Sequence, residues 1–464
     1  MQPSQVHSVL NRCMLVDGEP IVVDLERSHG SYLVDALTGR EYIDFFTYFA
    51  SLPVGHNHPG MREPGFLEKI TQAALVKPSC SDFYTTLMAE FVDTFHRVAM
   101  PDYIRYLFLI SGGALAVENA LKVAFDWKFR RNLDTIKCDA GAEWQYRMEG
   151  WGTQVIHFHQ AFHGRSGYTL SLTNTADPRK YRHFPKFDWP RITNPKLRFP
   201  LTAEVLAEVR ELEERAVEEI ERAVKRYCGD IAALIVEPLQ AEGGDNHFRP
   251  EFMRELRRLA DEHDFLFILD EVQTGMGITG EMWAIEHTDV QPDIIAFGKK
   301  AQVCGIMVTP RVDEVQGHCF QESSRINSTW GGNLVDMVRA TRYLEIVEEE
   351  SLVENAARMG ERLLLGLRDI ASQSAGFMTN VRGKGLMLAF DLPDGEKRDA
   401  LRHALWENGL YALKCGPRSV RFRPTLDVSP EVVDKALEIV AETVLDPDNA
   451  RRCNAVRLQP QPGV

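Results

Sequence analysis

Cysteine, long apolar runs and excess basic charge are all scarce in this chain of 464 residues. Its 8 cysteines form no CxxC pair, so the sequence indicates neither a disulfide framework nor a metal site. No apolar run approaches the ~20 residues of a membrane-spanning helix, and the first residues lack the charged and apolar regions of a secretory signal. These features predict a cytoplasmic protein that does not cross a membrane.

The net charge of −14, without any basic patch that contains aromatic residues, argues against nucleic acid as a partner. A GxxxxGK[ST] motif is also missing, which excludes an ATP-type phosphate loop. No internal repeat or low-complexity segment is present. With 44% hydrophobic and 26% charged residues, the composition is that of a globular protein large enough for two or three domains.

Short apolar runs alternate with amphipathic stretches, which predicts an α/β fold with a mainly parallel sheet. Ligands of such sheets gather beyond the carboxyl ends of the strands. The predicted strands are 106–110, 153–158, 232–236, 265–269 and 294–297, with weaker signals at 21–25, 31–34, 387–392 and 420–423. The predicted helices that flank the main strands are 115–130, 203–226 and 251–262.

The order of these signals predicts a large domain between two parts of a smaller one. Residues 76–340 contain the main strands and form the predicted large domain. Residues 1–75 and 341–464 are predicted to build the smaller α/β domain from both ends of the chain. The polar stretch 132–152 is typical of a surface insertion, and the tail after 447 is predicted to be loosely held.

An acid and a lysine follow two of the predicted strands. Asp270 closes one apolar strand, and Lys299 follows the next. A lysine amine can form a Schiff base with the aldehyde of pyridoxal phosphate, and a carboxylate can keep the cofactor's pyridine nitrogen protonated. Taken singly, each residue has a simpler interpretation, because most lysines are solvated and many strand-end carboxylates belong to turns. The pair, in this order and context, favours a pyridoxal phosphate site.

Other strand ends carry residues that suit the same cofactor. The turn at Gly113 and Ala114 opens a helix, whose backbone N–H groups and dipole can bind a phosphate. Phe162 could stack on a flat ring, and Arg165 could bind a carboxylate through two hydrogen bonds. The simpler interpretations are an ordinary strand-to-helix turn and a packed phenylalanine beside a surface arginine.

Two further candidates lie on a glycine-containing loop and a late strand. Glu242 precedes two glycines, and on its own it is more typical of a turn carboxylate. Arg421 and Arg423 alternate along a strand, so we expect one to face inward and the other outward. An inward arginine needs a carboxylate partner, which either Glu242 or a substrate could supply.

The sequence DEVQTG at 270–275, followed by Gly298-Lys299, resembles the class III ω-aminotransferases. These are fold-type I enzymes that use pyridoxal 5′-phosphate (PLP). The resemblance covers nearly the whole chain. The supporting motifs are GHNHP at 55–59, FHGR at 162–165 and EP at 237–238.

The resemblance implies a role for each candidate residue. Lys299 rather than Lys300 would form the Schiff base, because Gly305 then stands in the family's register. The resemblance also implies a homodimer with shared active sites. The implied cofactor-binding residues are Gly113, Ala114, Phe162, His163, Asp270, Gln273, Lys299, Ser328 and Thr329, with Ser328 or Thr329 reaching the phosphate across the dimer interface. The implied substrate-binding residues are Arg165, Glu242, Asn327 and Arg421.

A closer likeness is to family members that act on the ε-amine of L-lysine. The sequence KAQVC at 300–304 replaces the glycine-rich sequence that most relatives have there. This likeness implies transfer of that amine to 2-oxoglutarate, with 2-aminoadipate 6-semialdehyde and L-glutamate as products. Within the family, the alternative is an aminotransferase for ornithine or another ω-amino acid. A binding or regulatory protein with the same fold is disfavoured, because Lys299 and Asp270 are retained.

The likeness also implies how one site accepts two substrates. Arg165 would bind the carboxylate of either substrate that lies far from the reacting carbon. Arg421 would bind the near carboxylate of 2-oxoglutarate, which lysine lacks. Glu242 would neutralise Arg421 when lysine is bound and swing away for 2-oxoglutarate.

Overall fold

The computed structural model describes residues 1–76, 82–136 and 151–445 of the chain. Its largest sheet has seven strands, and two smaller sheets have three and four. The strands are β1 (Tyr32–Val34), β2 (Glu41–Asp44), β3 (Tyr106–Ile110), β4 (Gln154–Phe158), β5 (Arg191–Ile192), β6 (Ile231–Val236), β7 (Leu239–Gln240), β8 (Asn246–His247), β9 (Leu266–Asp270), β10 (Ile294–Phe297), β11 (Cys304–Val308), β12 (Thr379–Lys384), β13 (Met387–Asp391), β14 (Leu410–Tyr411), β15 (Leu413–Cys415) and β16 (Ser419–Phe422).

The seven-stranded sheet confirms the predicted α/β fold. Its strand order is β3-β11-β10-β9-β6-β4-β5, and β11 runs antiparallel to both of its neighbours while the other pairings are parallel. Every residue of β6 and β9 is buried. Such continuous burial is expected of central parallel strands, because helices cover both faces of the sheet. Because β9 and β10 are parallel neighbours, their carboxyl ends meet at one edge of the sheet.

Helices pack against the seven-stranded sheet and against the smaller sheets. The helix α4 (Gly113–Ile136) follows β3 directly, and α6 (Ala203–Tyr227) is a charged outer helix whose buried residues form a narrow stripe. The helices are α1 (Val6–Leu10), α2 (Pro64–Val76), α3 (Thr86–Val98), α4 (Gly113–Ile136), α5 (Gly167–Leu172), α6 (Ala203–Tyr227), α7 (Pro250–Glu262), α8 (Leu334–Glu349), α9 (Leu352–Gln373), α10 (Gly395–Glu407) and α11 (Pro430–Leu445). Among the described residues, no helix combines the length and apolarity needed to span a membrane.

The two ends of the chain meet in the smaller sheets. Strand β14 pairs with β2 in parallel, with Leu410 opposite Ile43. Strands β12, β13, β16 and β15 form an antiparallel sheet in that order. A large apolar cluster joins residues of β2 to residues of α9, α11 and β16. The domain boundaries proposed at 75 and 340 stay a prediction.

Two predicted elements differ from the structure. The strand predicted at 21–25 is wrong, since Val23 makes only an isolated bridge to Asp35. The helix predicted at 115–130 extends from Gly113 to Ile136 and takes up the start of the stretch predicted as an insertion. The rest of that stretch, 137–150, and the tail after 445 lie outside the described residues.

Candidate active site

Asp270 and Lys299 come together because their strands are neighbours. Asp270 is the last residue of β9 and lies opposite Ala296 of β10. Lys299 follows the end of β10 after a single glycine, and its side chain is half-buried. Burial first, and then the positive charge of Arg421, lower the pKa of Lys299 to about 8, against an opposing effect of Asp270. The amine is therefore closer to its nucleophilic, uncharged form than an exposed lysine would be.

Lys299 and its neighbour Lys300 have different surroundings. The Lys300 side chain is buried, and its Nζ donates to the carbonyl oxygens of Ala50 at 3.0 Å and Leu52 at 3.3 Å. The amine of Lys299 makes no hydrogen bond to any described residue. Lys299 is thus available for chemistry, whereas Lys300 anchors the left-handed turn at Thr47–Ala50.

Asp270 is held by two contacts that fix its carboxylate. Its Oδ1 accepts the N–H of Val272 at 3.1 Å, and its Oδ2 lies 2.8 Å from Nδ1 of His163. The His163 side chain is buried, and its Nε2 has no partner among the described residues. The backbone N–H of His163 donates to Oγ1 of Thr173 at 3.0 Å, which fixes the backbone that carries the imidazole ring. The predicted cofactor residue His163 therefore contacts Asp270 and orients it.

Phe162 lies beside the helix start that was predicted to bind phosphate. Gly164 has φ +121°, and a Cβ there would lie 2.6 Å from Cβ of Ala114, so this loop packs against the first turn of α4. The Phe162 ring is half-buried, with the guanidinium carbon of Arg165 at 6.0 Å and Nζ of Lys180 at 5.9 Å from its centroid. The predicted stacking ring thus has two cations beside it.

The start of α4 combines close packing at Gly113 with open space at Gly112. Gly112 has φ +106°, and a Cβ on Gly113 would lie 2.8 Å from Cγ1 of Val272. The N–H of Ser111 donates to the carbonyl oxygen of Trp330 at 3.0 Å. This bond holds the loop that contains the predicted residues 327–329 close to the start of α4. Asn327 and Thr329 in that loop are exposed and Ser328 is half-buried.

Arg421 and Glu242 form an ion pair at this edge of the site. Nη2 of Arg421 lies 2.7 Å from Oε2 of Glu242, and the other carboxylate oxygen pairs with Nζ of Lys180. Burial raises the pKa of the Glu242 carboxyl, but the charges of Arg421 and Lys180 outweigh it and hold the pKa below its usual range. Glu242 is therefore ionised at neutral pH and shared between two cations.

The prediction that Arg421 and Arg423 face opposite ways is wrong. Both are fully buried, and Oε1 of Gln273 accepts from Arg421 Nη1 and Arg423 Nε, each at 3.3 Å. Arg423 lies beyond the end of β16, so the strand alternation no longer orients it. Its guanidinium pairs with Asp245 at 2.5 Å. Gln273 thus binds two arginines through Oε1, and its amide nitrogen donates to none of the residues that the structure describes.

Two further residues of the site were missed by the sequence reasoning. Glu237 is buried, and its carboxylate accepts the N–H of Phe162 at 2.9 Å and of Ala241 at 3.1 Å. Burial raises its pKa to about 7. The Glu-Pro sequence after β6 was a signal for this residue. Lys180, by contrast, lies in a polar stretch with no pattern that points to the site.

A lysine amine and a carboxylate at neighbouring strand ends, beside a helix start and an aromatic ring, define a fold-type I PLP-dependent transferase. The aminotransferase class-III family matches residues 14–444, and this chain belongs to it. It is 51% identical to L-lysine-epsilon aminotransferase of Mycobacterium tuberculosis over 439 residues, which are 94% of this chain and 95% of that protein.

Two further relatives agree with this placement. The chain is 48% identical to L-lysine-epsilon aminotransferase of Amycolatopsis lactamdurans over 442 residues, 95% of each protein. The solved structure of lysine aminotransferase from M. tuberculosis in the internal aldimine form matches with a TM-score of 0.89 and 50% identity. That match covers 95% of this chain and 98% of the other.

PLP is the cofactor of this family, and the residues of the site fit it. Lys299 offers an amine that makes no hydrogen bond to the described residues, and its pKa of about 8 suits reaction with an aldehyde. Asp270 offers a buried carboxylate that His163 orients. The start of α4 offers the backbone N–H groups of its first turn, with open space beside Gly112, where a phosphate could bind.

Proposed function

We propose that this enzyme transfers the ε-amino group of L-lysine to 2-oxoglutarate. The products are L-glutamate and 2-aminoadipate 6-semialdehyde, which cyclises to piperideine-6-carboxylate. The observation that carries the proposal is the Arg421–Glu242 pair at 2.7 Å beside the lysine that would hold the cofactor. The near-half identity to L-lysine-epsilon aminotransferases over almost the whole chain supports lysine as the amine donor.

PLP, when bound, supplies an aldehyde that takes up the amine and a ring that withdraws electrons from the reacting carbon. Lys299 would hold it through that aldehyde. Asp270 would keep the pyridine nitrogen protonated, with His163 keeping the carboxylate in place. Phe162 would stack on the ring, and the amide nitrogen of Gln273 would donate to the ring hydroxyl.

Lys299 would also act as the base when its amine is free. Its Nζ removes a proton from the ε-carbon of lysine. A pKa of about 8 leaves roughly one amine in ten uncharged at pH 7, compared with fewer than one in a thousand for an ordinary lysine. The same amine performs the reverse proton transfer in the half-reaction of 2-oxoglutarate.

Glu242 gives one site two charge patterns. With lysine bound, no substrate carboxylate lies near the reacting carbon, and a buried Arg421 without a partner would cost several kcal/mol. Glu242 then stays paired with it. With 2-oxoglutarate bound, the α-carboxylate of that substrate replaces Glu242 on Arg421. Arg165, exposed beside the Phe162 ring, would bind the other carboxylate of either substrate.

The remaining site residues lie at the surface, which suits a homodimer. Gly113 and Ala114 would bind the phosphate through backbone N–H groups. Ser328 or Thr329 would reach the phosphate of the partner subunit, and Asn327 would line its substrate pocket. The described part of the chain also exposes several large aromatic residues, which are typical of surface that a second subunit covers. They include Tyr48, Phe49, Phe83, Tyr84 and Trp330.

We place the enzyme in the cytoplasm and in lysine metabolism, as the scattered cysteines and the proposed substrate suggest. The division into a large domain at 76–340 and a small domain from both ends is part of this proposal. Opening and closing between two such domains would admit substrate and then exclude water.

A panel of amine donors with 2-oxoglutarate tests the proposal. We expect kcat/KM to be highest for L-lysine, with a cyclic imine carboxylate and L-glutamate as products. L-ornithine differs by one methylene, which is worth only ~1–3 kcal/mol, so it is the essential competitor. A higher kcat/KM for ornithine or 4-aminobutyrate would overturn the assignment, as would turnover by Lys299→Ala.

A further inference from the structure

Within the described ranges of the chain, Glu242 pairs with two cations, and only one of them belongs to the switch described above. Arg421 holds Oε2, while Lys180 holds Oε1. The side chains of Lys180 and Glu242 are 19% and 22% exposed, so neither charge is fully surrounded by water. Because the two cations use different oxygens, the carboxylate can leave one without leaving the other.

Lys180 is presented by a short, well-tied turn. It ends the 3-10 helix Pro178–Lys180, which begins after Asp177. The Asp177 carboxylate accepts the N–H of Arg179 at 3.1 Å and also binds its guanidinium. Asp177 thus occupies Arg179 and sets the turn. The ammonium of Lys180 is left to reach inward, where it lies 5.9 Å from the Phe162 ring.

We propose that Lys180 is a positioning residue that retains Glu242 when the carboxylate leaves Arg421. The proposal rests on the switch in the proposed function and adds the place to which Glu242 goes. When 2-oxoglutarate binds Arg421, the Glu242 carboxylate stays paired with Lys180 and is not left without a cationic partner. The departing carboxylate therefore keeps one cation throughout the cycle.

The physical reason is the cost of an unpaired charge in a half-enclosed pocket. A carboxylate that lost Arg421 without another cation nearby would resist leaving, because few water molecules could replace the lost bonds. Glu242 would then compete with the α-carboxylate of 2-oxoglutarate for Arg421. Lys180 weakens that competition. In the lysine half-reaction Glu242 stays on Arg421, and the contact with Lys180 is less important.

A different role for Lys180 predicts a different pattern. The Phe162 ring has both Lys180 and Arg165 at its edge, so Lys180 could instead bind the far carboxylate of the substrate. Both lysine and 2-oxoglutarate carry such a carboxylate. Under that role, removing Lys180 slows both half-reactions equally. The contact with Glu242 favours the retention role, and the two are separable by kinetics.

The experiment measures each half-reaction of the holoenzyme by single-turnover absorbance. In Lys180→Ala, we expect kcat/KM for 2-oxoglutarate to fall by about tenfold, mainly through a higher KM, as for the loss of one charged hydrogen bond. The value for L-lysine should change less than about twofold, since its complex keeps the Glu242–Arg421 pair. Lys180→Arg keeps the charge and should restore the wild-type pattern.

Arg179→Ala is the matched control, because Arg179 has the same charge, lies one residue away and pairs with Asp177 alone among the described residues. It should leave both half-reactions unchanged. In a Glu242→Gln background, Lys180→Ala should have no further effect on 2-oxoglutarate. Equal losses in both half-reactions, no loss in either, or a full effect in that background would each overturn the proposal.

These measurements also separate the proposal from the proposed function. The half-reaction with L-glutamate or 2-oxoglutarate can be followed without any lysine. If lysine proves not to be the donor, the proposed function fails while the role of Lys180 toward 2-oxoglutarate is still tested directly.

Discussion

Replacing Glu242 by alanine leaves Arg421 without its carboxylate, and the two half-reactions should respond in opposite directions. Arg421 is 2% exposed, and its Nε has no hydrogen-bond partner in the described part of the chain, so it depends on Glu242 and on Gln273. With lysine bound, no other carboxylate reaches it. With 2-oxoglutarate or glutamate bound, the α-carboxylate of the substrate takes the vacated place and no longer has a competitor.

The magnitude follows from the contact that is lost. A hydrogen bond between charged groups contributes about 1.5–3 kcal/mol, which corresponds to roughly 10- to 150-fold in an equilibrium. We expect the ratio of kcat/KM for L-lysine to kcat/KM for L-glutamate to fall within that range. Lys180 remains in the variant and repels Arg421, which pushes the effect toward the upper end.

The assay is single-turnover absorbance of the holoenzyme with each amino donor alone. Glu242→Gln serves as the matched control, because the amide keeps the size and one acceptor but removes the charge. Its ratio should lie between those of the wild type and Glu242→Ala. Equal losses for lysine and glutamate in Glu242→Ala would refute the reasoning, since a residue that only supports the loop affects both alike.

The other predictions concern the cofactor site. Because the pKa of Lys299 is lowered to about 8, the rate at which apoenzyme takes up PLP should rise with pH from 7 to 9, and a flat profile would contradict this. Lys300→Met loses hydrogen bonds to the carbonyls of Ala50 and Leu52. The variant should lower the free energy of unfolding by about 2–4 kcal/mol yet keep the visible absorbance of the cofactor. Loss of that absorbance in a folded variant would show that Lys300, and not Lys299, holds the cofactor. Asp270→Asn should still bind PLP but reduce kcat by roughly 100- to 1000-fold, and near-normal turnover would exclude its role at the ring nitrogen.

Much of the fold and part of the site could be predicted from the sequence. Strands β9 and β10 are local apolar runs, and the residues that follow them must lie at one sheet edge once the strands are parallel. Asp270 and Lys299 were therefore found as a pair, and the glycine turn at Gly113 was found with them. The failed strand at 21–25 shows the limit, since a short apolar run forms a strand only where a partner strand meets it.

Tertiary structure decided how the charges of the site are shared. Arg421 and Glu242 are in contact although 179 positions separate them in the sequence. Glu242 and Lys180 are in contact across a separation of 62 positions. No local periodicity encodes such contacts, because they depend on how a loop and a polar turn are brought over the sheet edge. The chemistry of the cofactor can be predicted from residues near strand ends. The choice between two substrates depends on how segments that are distant in sequence pack around the buried guanidinium of Arg421, which needs a carboxylate partner.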